Sequence, residues 1–181
     1  MIIRHLTAAD FRSSTWSGGT TTELYLHPEH GSYAARDFLF RISSATVDLE
    51  ESDFTPLPGV ERYITPLSGS FTLTHPNMPP VVLPALATPY GFSGGIATHC
   101  VGKATDFNLM LKGCDGVMQL HRGSAPIRPG FNGFYAVEDG CFSLGQQRFE
   151  MKKGELLTIF SETAATLILD DAATLSCWVN V

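Results

Sequence analysis

Apolar and polar residues alternate with a period of two in several short stretches of this chain, and a helical period is not sustained over any long window. In Phe38-Leu39-Phe40-Arg41-Ile42-Ser43, the residues Phe38, Phe40 and Ile42 fall on one face of a strand and Leu39, Arg41 and Ser43 on the other. Asp106-Phe107-Asn108-Leu109-Met110-Leu111 divides the same way, with Phe107, Leu109 and Leu111 opposite Asp106, Asn108 and Met110. Each stretch therefore has an apolar face and a face able to line a polar cavity. Seventeen glycines and eleven prolines punctuate such stretches at close intervals, which predicts an all-β sandwich or barrel. One or two short helices are expected beside it. The first is placed at Thr7–Ser13, where Thr7 can cap the first turn and Asp10 suits its positive end; the second lies somewhere before residue 130.

A short repeat runs through the pattern. Ser68-Gly69-Ser70-Phe71-Thr72-Leu73 recurs as Asp139-Gly140-Cys141-Phe142-Ser143-Leu144, each copy after an aromatic stretch containing Tyr63-Ile64 or Phe134-Tyr135. Lys153-Gly154-Glu155-Leu156-Leu157 then has the form of a turn followed by an apolar strand. Two related β-barrel halves explain the repeat economically, although glycine between β-formers also recurs among unrelated hairpins. On this reading residues 1–115 form an N-terminal half carrying the site and residues 116–181 a C-terminal half, together one compact unit.

Composition narrows the function. The 181 residues, 44% of them hydrophobic, suffice for a sizeable core. With 12 Lys+Arg against 18 Asp+Glu, the net charge of -6 offers no basic field for phosphates, which argues against nucleic acid. No run approaches the ~20 apolar residues of a membrane span, and the N-terminal segment has no leader pattern, so a cytoplasmic protein without a membrane partner is expected. Cys100, Cys114, Cys141 and Cys177 form no C-x-x-C pair and are expected as reduced thiols. Exposed strand edges make a homodimer reasonable.

Candidate chemistry is sparse. Trp16-Ser17-Gly18-Gly19-Thr20-Thr21-Thr22-Glu23 is a glycine pair followed by hydroxyls and a carboxylate; glycine lets backbone amides approach a ligand, yet the same run reads as a turn entering an edge strand. Arg41 and Arg62 each adjoin an apolar run, where a guanidinium needs a carboxylate from a ligand or from Glu23, Glu61 or Asp106. Asp106 and Asn108 share one strand face, with Met110 as an apolar wall, and either address a cavity or face water. Six histidines lack any His-x-His pair, and in His27-Pro28-Glu29-His30 the proline interrupts ligand geometry, so no metal and no cofactor are expected. No nucleophile elbow occurs, and Gly91–Gly95 reads as a flexible loop.

The ordered set of Trp16-Ser17-Gly18-Gly19-Thr20-Thr21-Thr22-Glu23, Phe38–Ser43, Phe54-Thr55-Pro56-Leu57-Pro58-Gly59-Val60-Glu61-Arg62 and Asp106-Phe107-Asn108-Leu109-Met110 resembles the HutD/Ves family. The resemblance is dense from Trp16 to Leu111. The family pattern usually has an Asn and a longer glycine run after the tryptophan, which this chain lacks. The resemblance implies a bicupin of RmlC-like jelly-roll halves, an association with histidine utilisation, and a small carboxylate ligand such as formylglutamate or urocanate, bound without an assigned reaction. Matching residues are Trp16, Gly18, Gly19, Thr22, Glu23, Arg41, Ser43, Arg62, Asp106, Asn108 and Met110. In this reading Arg41 and Arg62 take the carboxylate, Gly18 and Gly19 offer amides, Asn108 orients the ligand, and Glu23 and Asp106 position the arginines. The rival reading is a metal-independent enzyme of small acids or sugars with Glu23 or Asp106 as general acid/base.

Overall fold

In the computed structural model, which describes residues 1–16 and 18–181, the alternating stretches are strands, and the described residues include no helix. Both expected helices are therefore corrected. At Thr7–Ser13 the capping chemistry is real but closes only a turn: the Thr7 amide donates to Asp10 Oδ2 at 2.8 Å and the Asp10 amide to the Thr7 carbonyl at 2.9 Å. Local side-chain bonds of this kind compete with helix propagation, and the Ser13-Ser14-Thr15 run beyond the turn lies in a strand.

The first strand is β1 (Ile2–Leu6), followed by β2 (Arg12–Trp16), β3 (Gly19–His27), β4 (Phe40–Val47), β5 (Glu51–Asp53), β6 (Glu61–Thr74), β7 (Val81–Pro84), β8 (Tyr90–Ser93), β9 (His99–Val101) and β10 (Ala104–Leu111). Then come β11 (Gly116–Ile127), β12 (Gly130–Ala136), β13 (Gly140–Leu144), β14 (Gln147–Met151), β15 (Leu156–Ser161) and β16 (Ala165–Val179). They divide into two compact units, Arg12–Gly113 and a second made of Met1–Phe11 with Cys114–Val181. Residues 1–11 thus join the C-terminal segment, because β1 pairs antiparallel with β15 from Ile2 opposite Phe160 to Leu6 opposite Leu156.

Within Arg12–Gly113 the antiparallel order is β2-β3-β4-β10-β6-β9-β5, with β7 and β8 also paired to β6. The long strand β6 curls the sheet: its first part lies between β10 and β8, and its second part pairs with β7 and β9. Gly69, in the left-handed region at φ 74°, marks the change of partner; a side chain there would strike the Lys103 carbonyl.

The second unit repeats this plan. Its β11 pairs with β16, as β4 pairs with β10 and β5 with β9; β12 pairs with β15 and β16, as β6 pairs with β8 and β10; and the hairpin of β13 with β14 matches that of β6 with β7. The first copy of the sequence repeat and its aromatic stretch lie in one bent strand, β6, whereas the second copy, from Gly140 on, lies in β13 and its aromatic stretch in β12. Both units are cupin-like and all-β.

The cores differ in chemistry. That of the second unit gathers Phe134, Phe142, Met151, Leu157, Ile159, Leu167 and Leu169, all but inaccessible to solvent. In Arg12–Gly113, apolar groups around Phe71, Leu73, Leu83 and Phe92, and around Leu26, Phe38, Val60 and Met110, share the interior with buried Arg41, Arg62, Asp106 and Asn108.

At the β2–β3 hairpin, Gly19 has φ 151°, and a Cβ on it would clash with the Thr46 carbonyl oxygen. Gly19→Ala is expected to lower unfolding free energy by about 2 kcal/mol or more, read as a lower midpoint in urea denaturation.

Candidate functional site

Strand register brings the polar residues together. Arg41 on β4 lies opposite Met110 on β10, which lies opposite Arg62 on β6, which lies opposite Phe92 on β8. Two residues along, Glu23 on β3 faces Ser43, then Asn108 and Ile64; a further step along β10 is Asp106. Since side chains alternate across a strand, Glu23, Arg41, Ser43, Arg62, Asp106, Asn108 and Met110 share one face of the sheet. The opposite face of β4 and β10 carries Ile42, Phe107 and Leu109, fully buried. Burial of both faces decides the orientation left open by the sequence: Asp106 and Asn108 do not face water, being only 4% and 5% exposed.

Arg41 is anchored within the protein. Its Nε donates to Glu23 Oε2 at 2.7 Å and its Nη1 to Ser43 Oγ at 3.4 Å, and its guanidinium lies 4.2 Å from the centre of the Tyr33 ring. Glu23 and Tyr33 thus occupy it. Arg62 differs: it rests against Phe54 at 4.8 Å and Phe92 at 5.3 Å, and its buried Nε has no hydrogen-bond partner among the described residues. Burial lowers its pKa from the ordinary arginine value, and the charge of Asp106 opposes this.

Asp106 and Asn108 supply the complementary deficit. Each has a buried Oδ1 without a hydrogen-bond partner among the described residues. Burial pushes the Asp106 carboxyl up to about 7, despite the attraction of Arg62 and a hydrogen bond from the Ala45 amide. Buried polar atoms are nearly always satisfied, so a donor and two acceptors left over on one face are open to polar groups from outside the protein, water included. The Cys100 thiol is pushed up to about 11 by burial and by the nearby Asp106 charge.

Of the glycine-threonine box, Glu23 joins this constellation and Trp16, Gly18, Gly19 and Thr22 do not. Trp16 lies at the edge strand, with its ring over Gly18; Gly18 and Gly19 are buried in the hairpin; Ser17 lies outside the described residues. Thr22 belongs to the other face, with its hydroxyl 3.0 Å from that of Ser13. Gly91–Gly95 is not a flexible loop: Gly91 to Ser93 are in β8, and Gly94 is tied to Val60 at 2.7 Å and to Leu57 at 2.6 Å. Tyr33, Phe54, Phe92 and the buried His75 were not singled out from sequence; the first two come from segments without alternation. Among the described residues, no three His, Cys, Asp or Glu side chains are grouped to hold a metal ion.

Comparison with known proteins agrees with this architecture. The model of the HutD family matches residues 8–176. A conserved protein of unknown function from Pseudomonas aeruginosa PAO1 is 23% identical, covering 100% of both chains with a TM-score of 0.85. HutD from Pseudomonas fluorescens SBW25, in a formate condition, is 20% identical over 99% of this chain and 100% of that one, with a TM-score of 0.81. The Escherichia coli pirin YhhW in complex with nickel(II) shares the fold at 11% identity, with 98% of each chain covered and a TM-score of 0.66. No curated protein matches the sequence.

The displaced Asp106 titration has a stability consequence. Its carboxyl binds a proton more tightly folded, at about 7, than unfolded, near 3.8. Asp106 therefore contributes stability that is complete below the unfolded value and is lost as pH rises through about 7. Subtracting Asp106→Asn from wild type in denaturation curves at pH 4 to 8 is expected to give a difference that falls by a few kcal/mol across that window.

Proposed function

The chain belongs to the HutD family, which is associated with histidine utilisation, and on that premise we propose that its Arg12–Gly113 unit binds a small polar carboxylate, such as formylglutamate or urocanate, and modulates that pathway. The observation carrying this reading is the unpaired Nε of Arg62, a buried cationic donor beside the unpaired oxygens of Asp106 and Asn108. A carboxylate answers the first, and an N–H or O–H on the same molecule answers the others. Arg41 serves differently. Its guanidinium is held by Glu23, so it adds positive field while keeping the anion's other side walled by Tyr33. The second unit buries polar side chains as well, Asn132, Thr158 and Thr174 among them, but none of its described side chains has a buried polar atom left without a hydrogen-bond partner, so it carries the fold rather than the ligand.

One observation favours a second reading. With Glu23 engaged by Arg41, Asp106 is the carboxyl suited to general acid/base work, since a group titrating at about 7 exchanges protons readily at neutral pH. Turnover of a bound acid, lost in Asp106→Asn while binding persists, would select the enzyme.

Isothermal titration with urocanate, formylglutamate and formate tests the binding reading. At least one acid is expected to bind wild type, and Arg62→Ala to weaken it by an order of magnitude or more, because a hydrogen bond to a charged group contributes about 1.5–3 kcal/mol. Unaltered affinity in that variant removes Arg62 from the site, and silence with every acid sinks the carboxylate reading.

A further inference from the structure

His75 follows the last residue of β6 and is 2% exposed. Its ring stacks on Tyr90 at 5.8 Å and lies 5.2 Å from Phe92, the same ring against which Arg62 rests at 5.3 Å. His75 and Arg62 are thus separated by no more than the sum of those last two distances, the span of a small molecule.

Hydrogen-bond accounting assigns its tautomer. Thr98 Oγ1 lies 3.1 Å from the Ile96 carbonyl oxygen, to which it donates, and 3.1 Å from His75 Nδ1. A hydroxyl has one hydrogen, and the carbonyl can only accept. Thr98 therefore turns a lone pair toward Nδ1, which must carry the ring hydrogen. In the neutral ring Nε2 is then a bare acceptor, and it is buried without a hydrogen-bond partner among the described residues. The ring is fixed in place by Thr98, Tyr90 and Phe92, so its free nitrogen has a defined direction rather than a choice of rotamers.

We propose that His75 is a specificity-determining contact of the ligand held by Arg62: the ligand is a small acid whose carboxylate meets Arg62 and whose N–H or O–H, beyond the Phe92 ring, donates to His75 Nε2. This rests on the carboxylate reading of the same interior. It separates acids bearing such a donor from simple acids of the same size, because a site with a fixed buried acceptor disfavours an analogue that cannot fill it.

The test uses matched pairs: urocanate with its furan analogue, which keeps the acrylate and a five-membered ring but has no N–H, and formylglutamate with its ester analogue, in which oxygen replaces the amide N–H. Wild type is expected to prefer the N–H member of at least one pair by about tenfold or more, as one hydrogen bond allows. In His75→Phe, which keeps the aromatic stacking, that preference collapses while the analogue's affinity is kept. In wild type the N–H acid, and not its analogue, shifts the 15N resonance of His75 Nε2 from its bare position, a readout that does not depend on the variant folding. Equal binding within both pairs with an unmoved Nε2 resonance, or a preference unchanged in His75→Phe, overturns the assignment and leaves the carboxylate reading standing. Failure of all four acids to bind overturns both.

Discussion

Desolvation of Arg62 and Asp106 is the constraint around which Arg12–Gly113 is organised. Removing an ion from water costs several kcal/mol even after relaxation, and partial pairing recovers only some of it. The protein meets the cost in two ways. The carboxyl is pushed up to about 7, so that it is protonated much of the time at neutral pH, and the guanidinium is laid against Phe54 and Phe92, whose faces favour a cation. Neither device would hold on a mobile segment. Strands β4 and β10 provide the rigidity, because their reverse face is closed by Phe40, Ile42, Phe107 and Leu109. A packed apolar back thus supports a polar front.

The two units show what such a front demands. They share a strand plan, yet the second fills its interior with Phe134, Phe142, Leu157 and Leu169 and satisfies buried polar groups such as Asn132 and Thr174 on its own backbone. The first exchanges part of that filling for groups whose hydrogen-bonding capacity is incomplete in the protein alone. One copy of a duplicated architecture supplies cohesion by ordinary hydrophobic burial, while the other gives up some of it for buried charge.

Much of this was legible in the sequence, for a physical reason. Period-two alternation in Phe38–Ser43 and Asp106–Leu111 put Arg41, Ser43, Asp106, Asn108 and Met110 on one side of two strands, and register in the folded sheet kept them there. Arg62 and Glu23 stood out as a cation beside an apolar run and a carboxylate able to meet one, and matched the family pattern as well, but alternation alone did not connect them. Thr22 shares the box with Glu23 but not its face, since neighbours along a strand point oppositely. Tyr33 and Phe54 escaped because they approach from irregular segments, and His75 because it reaches the interior only through the curl of β6. The turn at Thr7 to Asp10 misled for a local reason: its capping bonds are those of a helix start, but the strand-forming residues beyond it, not the cap, decide whether a helix continues.

The pairing of β1 with β15 joins residues from nearly opposite ends of the sequence. Arg12–Gly113, by contrast, is one uninterrupted stretch of chain. During synthesis Arg12–Gly113 can close on itself as soon as Gly113 has cleared the ribosome, whereas Ile2–Leu6 waits for Leu156–Ser161 to be made. Formation of Arg12–Gly113 is thereby uncoupled from completion of its duplicate, and Ile2–Leu6, though made before that unit, are among the last residues to find their native neighbours.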